Sequence, residues 1–99
     1  RKTLNLNPRY IRALHRIGWI YYNEGSVSRA LDEWKHALTI NRRDNDIIFS
    51  IAKAYNDLGY AAWREGRLEE ARQYWQQTLH YKSDDKAAQY FLKQTAGSQ

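Results

Sequence analysis

Leu14–Ile40, LHRIGWIYYNEGSVSRALDEWKHALTI, and Tyr55–Tyr81, YNDLGYAAWREGRLEEARQYWQQTLHY, are diverged copies of one 27-residue pattern. Aligned without a gap, they share Gly18 with Gly59, Glu24 with Glu65, Gly25 with Gly66, Ala30 with Ala71, Trp34 with Trp75, and Leu38 with Leu79. These identities fall at small, turn and large apolar positions. A repeated helical hairpin needs them there, because small residues let two helices approach and large ones fill the space between hairpins. An internal repeat of this kind points to a solenoid of stacked units.

Working outward, Asn7 and Pro8 form a helix start, with Asn able to accept from the free amides of the first turn and Pro preset at the first helical position. Ile11, Leu14, Ile17, Gly18 and Tyr21 recur at three and four, so they predict a buried stripe on a helix that ends near Glu24 and Gly25. Ser26 stands where it can cap a second helix, from about Val27 to Asn41, whose stripe is Val27, Ala30, Leu31, Trp34, Ala37, Leu38 and Ile40. Asp44 or Asn45 offers the cap for a third helix of about 20 residues, with Ile47, Ile48, Ile51, Ala54, Tyr55, Leu58 and Ala62 as its stripe, ending at Glu65 and Gly66. Leu68, Ala71, Trp75, Leu79 and Tyr81 define the fourth. Ser83, Asp84 and Asp85 then start a final helix, Lys86 to about Thr95, whose Ala87, Ala88, Phe91 and Leu92 can cover the open end of the second hairpin.

With 99 residues, 42% of them hydrophobic and 14% aromatic, the chain is long and apolar enough to fold as one small domain. Absence of cysteine removes disulfides, thiolate zinc sites and cysteine nucleophiles, and leaves the compartment open. No apolar run is long enough to span a membrane, and no signal-peptide pattern is present. The net charge of +5 is uneven, since Arg1, Lys2, Arg9, Arg12 and Arg16 all precede Glu24, the first acidic residue. Such a basic third favours acidic partners; a solvated surface is the plainer alternative.

The assembled residues resemble the tetratricopeptide repeat, a 34-residue helix-turn-helix. In the first copy Leu14, Ile17, Gly18, Tyr21, Ala30, Trp34 and Ala37 stand at the family's characteristic positions; in the second Tyr55, Leu58, Gly59, Ala62, Ala71, Trp75 and Thr78 do. The resemblance implies an all-α fold, an α–α superhelix of stacked antiparallel hairpins whose first helices line a concave groove for peptides or other proteins. Residues 1–7 are expected to end a preceding repeat, with Leu4 and Leu6 in its last helix, and the chain to be a piece of a longer protein. Residues 8–44 form the first repeat, 45–85 the second, 86–95 a capping helix and 96–99 a frayed tail. Three departures stand out. Arg42 and Ser83 occupy the places of the closing prolines, Ala62 replaces the usual Tyr, and Gly18 and Gly59 lie 41 residues apart, seven more than the family period. Seven residues are close to two helical turns, which keeps the same face inward, and the extension is expected at about Asn45–Ile51.

Under that resemblance the groove residues are those off the buried stripe: Arg12, His15, Arg16, Trp19, Tyr22 and Asn23 on the first helix, and Lys53, Asn56, Asp57, Tyr60, Trp63 and Arg64 on the third, with Tyr90 and Gln94 on the last. Trp, Tyr and Arg carry binding hot spots because they join large rigid area to a hydrogen-bonding or charged tip. Arg12 and Arg16, one turn apart, can hold a carboxylate, so an acidic and aromatic peptide fits. Packing between helices is the competing reading for Trp19, Tyr60 and Trp63. Some family members clamp the acidic tails of heat-shock chaperones with Lys, Asn and Arg; here His15 and Trp19 occupy the Lys and Asn places, and Asp57 spoils the alternative register.

Catalysis finds no constellation. His15, His36 and His80 are scattered, with no HExxH, no carboxylate at metal-ligand spacing, no nucleophile elbow and no phosphate loop, so neither enzyme activity nor a metal or cofactor is expected. The leading expectation is therefore a protein-binding module in a larger scaffold or assembly protein. Self-association through the exposed start at Leu4, Leu6 and Ile11, or through the long third helix, is the alternative. Nucleic-acid binding through the basic amino terminus is a third, opposed by Asp57, Glu65, Glu69 and Glu70 and by the lack of a recurring base-reading pair.

Overall fold

The computed structural model describes residues 8–96 and is all-α. Among the described residues there are five helices: α1 (Pro8–Asn23), α2 (Val27–Ile40), α3 (Asn45–Arg64), α4 (Leu68–Tyr81) and α5 (Lys86–Ala96). Expectations resting on Leu4, Leu6, Asn7 and the last three residues lie outside the described residues. By contacts the chain divides into two compact units, the first closing at Ser50 and the second opening at Ile51.

Both hairpins turn in the same way. Gly25 and Gly66 sit at φ +89° and +83°, a left-handed conformation that costs a residue with a Cβ roughly 1 kcal/mol or more. In the first turn Ser26 N–H donates to Tyr21 O at 2.8 Å and Gly25 N–H to Tyr22 O at 3.0 Å; in the second Arg67 N–H donates to Ala62 O and Gly66 N–H to Trp63 O. This paired pattern satisfies the carbonyls left over at a helix carboxyl end. Ser26, expected as a cap, occupies the N-cap position of α2 but its hydroxyl makes no capping bond, and Arg67 replaces it in the second copy. The backbone turn already fixes where α2 starts, so the side chain is dispensable.

The core of each unit is a tryptophan against a glycine. Trp34 and Trp75 are fully buried, each with a neighbouring Ala30 or Ala71 also at 0% exposure. A Cβ built on Gly18 or Gly59 would collide with the indole of Trp34 or Trp75 respectively, so the glycines are what let α1 approach α2 and α3 approach α4. The two indoles differ in one respect. Trp34 Nε1 donates to the carbonyl of His15 at 3.1 Å, whereas Trp75 Nε1 is buried without an acceptor among the described residues. In the second unit Ala62, Ala71, Trp75 and Ala88 form the packed centre, with Tyr74, Leu79, Phe91 and Leu92 against it. Phe91 of α5 stacks on Trp75 at 5.0 Å between ring centroids.

Two buried-face expectations are corrected. Ile17, assigned to the stripe of α1, is 39% exposed, and Ala87, expected to help cover the second hairpin, is exposed as well. Ile11, Leu14 and Gly18 are buried as the stripe requires, Gly18 against Trp34, so Ile11 does not belong to an exposed start for self-association.

The openings of α3 and α5 are alike. Asp44 Oδ1 accepts from Ile47 N–H at 3.1 Å and Asp85 Oδ1 from Ala88 N–H at 2.9 Å, so two aspartates 41 residues apart cap α3 and α5 alike. Beyond the caps the match continues: Ile47 and Ala88 are buried, as are Ala54 and Thr95, while Phe49 and Tyr90 are 61% and 58% exposed. The 41-residue spacing therefore runs on through α5, which is built like the opening of α3.

Candidate functional site

In the first unit the off-stripe residues of α1 separate into two groups. His15, Trp19 and Tyr22 are half-buried around Trp34, with Trp19 5.0 Å and Tyr22 6.0 Å from it between centroids. Trp19 Nε1 donates to His15 Nε2 at 3.1 Å, and the same nitrogen lies 2.7 Å from Ser50 Oγ at the start of α3. An indole N–H can only donate, so Nε2 can accept from Trp19 when the ring is neutral with its proton on Nδ1. Burial holds the His15 pKa below its ordinary value, with Asp44 and Asp46 pulling the other way. A cleft of about 180 Å³ lined by Ile11, Arg12, His15, Asn41, Asp44, Asp46 and Ile47 opens beside this network.

Arg12, Arg16 and Asn23 are exposed. The two arginines do not gather around Trp19. With Arg9 they flank a shallow trough of about 330 Å³ whose remaining lining is Ala13, Ile17 and Ile20. Ile20 is 51% exposed, a residue the helical stripe gave no reason to single out. The signal was present in the sequence as an apolar residue interrupting a basic face.

In the second unit Asn56 is drawn into the fold. Its Nδ2 donates to Asp85 Oδ1 at 3.1 Å and its Oδ1 accepts from the buried hydroxyl of Thr78 at 3.0 Å, linking α3, α4 and the cap of α5. Lys53 and Asp57 are exposed and pair at 3.5 Å, one turn apart on α3; partial burial nonetheless raises the Asp57 pKa. An exposed pair of this kind contributes little to stability.

Tyr60, Trp63 and Arg64 behave otherwise. Tyr60 is 46% and Trp63 43% exposed, their rings 5.8 Å apart, and the Arg64 guanidinium lies 5.8 Å over the Tyr60 ring. Phe91 completes the group at 6.3 Å from Tyr60 and 5.9 Å from Trp63, with Tyr90 5.4 Å beyond it and Gln94 exposed on the same helix. Since Phe91 also stacks on Trp75, this exposed cluster is anchored directly on the core. An aromatic surface held rigid in this way offers contact area at small entropic cost.

Among the described residues no three His, Asp or Glu are grouped to hold a metal ion, and no helix is long and apolar enough to cross a membrane. Family models described as tetratricopeptide repeat match residues 11–44 and 51–81, together about two thirds of the chain. No curated protein matches it.

Proposed function

Because this chain belongs to the tetratricopeptide repeat family, whose members are in general protein-protein interaction modules and typically not catalytic, we propose that it holds a peptide or helix of a partner protein on the exposed side of α3. The observation that carries this reading is the ring cluster Tyr60, Trp63 and Phe91 with Arg64. Four-tenths or more of Tyr60 and Trp63 remains open to solvent, although both are large aromatics held against the fold. Contiguous exposed aromatic rings mark interaction sites, and Arg64 adds a cation for a carboxylate or carbonyl of the partner. On α1, Arg12, Arg16 and Asn23 offer a polar, cationic face that suits an acidic partner. Half-buried Trp19 and Tyr22 contribute their edges. A place in a scaffold or assembly protein follows from this reading, since the residues supply recognition and no chemistry.

The test compares the wild-type chain, immobilised, with a Tyr60→Ala/Trp63→Ala variant against lysate of the source organism, with circular dichroism confirming that both stay helical. Proteins retained by the wild type are expected to be lost, or bound at least about tenfold more weakly, by the variant. Equal retention would move the site away from the rings. Retention of nothing above background would reject the interaction reading as a whole.

A further inference from the structure

Granted that the ring cluster of α3 and α5 is where a partner binds, we propose that the segment it takes is proline-rich and extended, in the polyproline II conformation, with a carboxylate beside the prolines. Tyr60, Trp63 and Phe91 form a nearly equilateral triangle of rings, 5.8, 6.3 and 5.9 Å between centroids, each pair inclined by 48° to 53°. Phe91 is fixed by its stack on the fully buried Trp75, so the triangle keeps its shape when a ligand covers it. A spacing of about 6 Å is the rise of two polyproline II residues at about 3.1 Å each, which lets successive pairs of ligand residues rest on successive rings. Rigid rings meeting a segment already extended in solution lose little freedom on either side.

Hydrogen bonding selects this ligand over other shapes. Among the described residues neither the Tyr60 hydroxyl nor the Trp63 indole N–H has a hydrogen-bond partner, and Arg64 meets only the Tyr60 ring. Trp63 and Arg64 can only donate, and Tyr60 can donate as well. A proline tract is their complement, because it presents carbonyl oxygens and no N–H. An ordinary extended strand would bring N–H groups as well, and the described residues, all helix and turn, offer no strand edge to pair them. An α-helical ligand has its carbonyls engaged internally and needs an apolar ridge of about 10 Å for anchors at i, i+4 and i+7. The apolar stretch on α3 is shorter, with the exposed pair of Lys53 and Asp57 one turn before Tyr60 and Arg64 one turn after it. Charge sets the flank of the tract. Arg64 pairs with no carboxylate among the described residues of a chain of net charge +5, so it attracts an acidic flanking residue and repels a basic one. A second copy of these 99 residues supplies only a single proline, Pro8.

The probe is a synthetic peptide of about ten residues, a proline tract with a glutamate at each end, labelled for fluorescence anisotropy and titrated with the full 99-residue chain. It is expected to bind. A twin with alanine in place of every proline, and another with lysine in place of both glutamates, are each expected to bind at least about tenfold more weakly. Trp63→Phe keeps a ring and removes the donor, so it should weaken the proline probe about fivefold, the loss of one hydrogen bond. Arg64→Gln should erase the preference for glutamate over lysine, and Tyr60→Ala/Trp63→Ala should abolish binding. These positions are exposed, so the variants keep their fold, as melting curves would verify. Equal binding of the proline and alanine peptides, or proline binding unchanged by Tyr60→Ala/Trp63→Ala, overturns the proposal. Tighter binding of an acidic amphipathic helix through the same rings does so too. If no peptide binds while lysate proteins are still lost from Tyr60→Ala/Trp63→Ala, the rings remain a partner site and the proline reading alone falls; loss of both results rejects the ring site itself.

Discussion

At the residue scale the His15 network ties stability to pH. Its Nε2 accepts from Trp19, and protonation would place a second donor opposite that N–H, so the bond exists only with the neutral ring. The folded-state pKa lies below the unfolded value of about 6.5, chiefly through burial. The unfolded chain therefore binds the proton more readily. The contribution of His15 is fully present above about pH 6.5, is lost as pH falls through the unfolded value toward the lowered one, and then levels off. His15→Asn installs the residue found at the equivalent place in the second copy, Asn56. Thermal melts from pH 7.5 to 5 should show the wild type losing roughly a few tenths of a kcal/mol more than the variant, a small effect because the ring is only partly screened from solvent. Parallel pH profiles for the two chains would show that the ring does not titrate in this window.

At the scale of elements, the capping aspartates explain how helices end here without the family's prolines. Asp44 makes one capping bond; Asp85 makes the same bond and also accepts from Asn56, whose amide oxygen serves the buried Thr78. Asp44→Ala should cost about 1 kcal/mol, and Asp85→Ala about 2 kcal/mol, because the second change also strands the Asn56 amide. Urea unfolding of the two variants measures this directly, and equal losses would mean that the Asn56 bond adds nothing. Much of this level was legible in the sequence: glycines placed both hairpin turns, and the helix starts at Pro8, Val27 and Lys86 were read from local signals. What was not legible depends on neighbours distant along the chain. Periodicity reports which residues share a face but not what covers it, so Ile17 was assigned to the core beside Ile11 although it is 39% exposed. The polar residues His15 and Asn56 read as groove residues because partners such as Ser50 and Asp85 lie about 30 residues away. The ring cluster was legible as a set of residue types, yet the difference between half-buried Trp19 and exposed Trp63 was not, since both stand at off-stripe positions of repeated helices.

For the whole molecule the deciding quantity is the placement of charge. Arginines crowd α1, the last helix carries Lys86 and Lys93, and the acids are concentrated between them, within a net charge of +5. Copies approaching through α1 or α5 therefore repel, while exposed Ile17, Ile20 and Phe49 supply the apolar area that would hold them together once the repulsion is removed. Salt separates the two terms, because a Debye length of about 10 Å at 0.1 M shrinks to about 3 Å at 1 M while apolar contact persists. Sedimentation velocity over a range of concentrations should thus find a monomer at low ionic strength and a dimer favoured by added salt. Association that instead weakens with salt would point to opposite-charge pairing, with the arginine row of α1 against acids of a second copy, and would make the chain its own partner on that face.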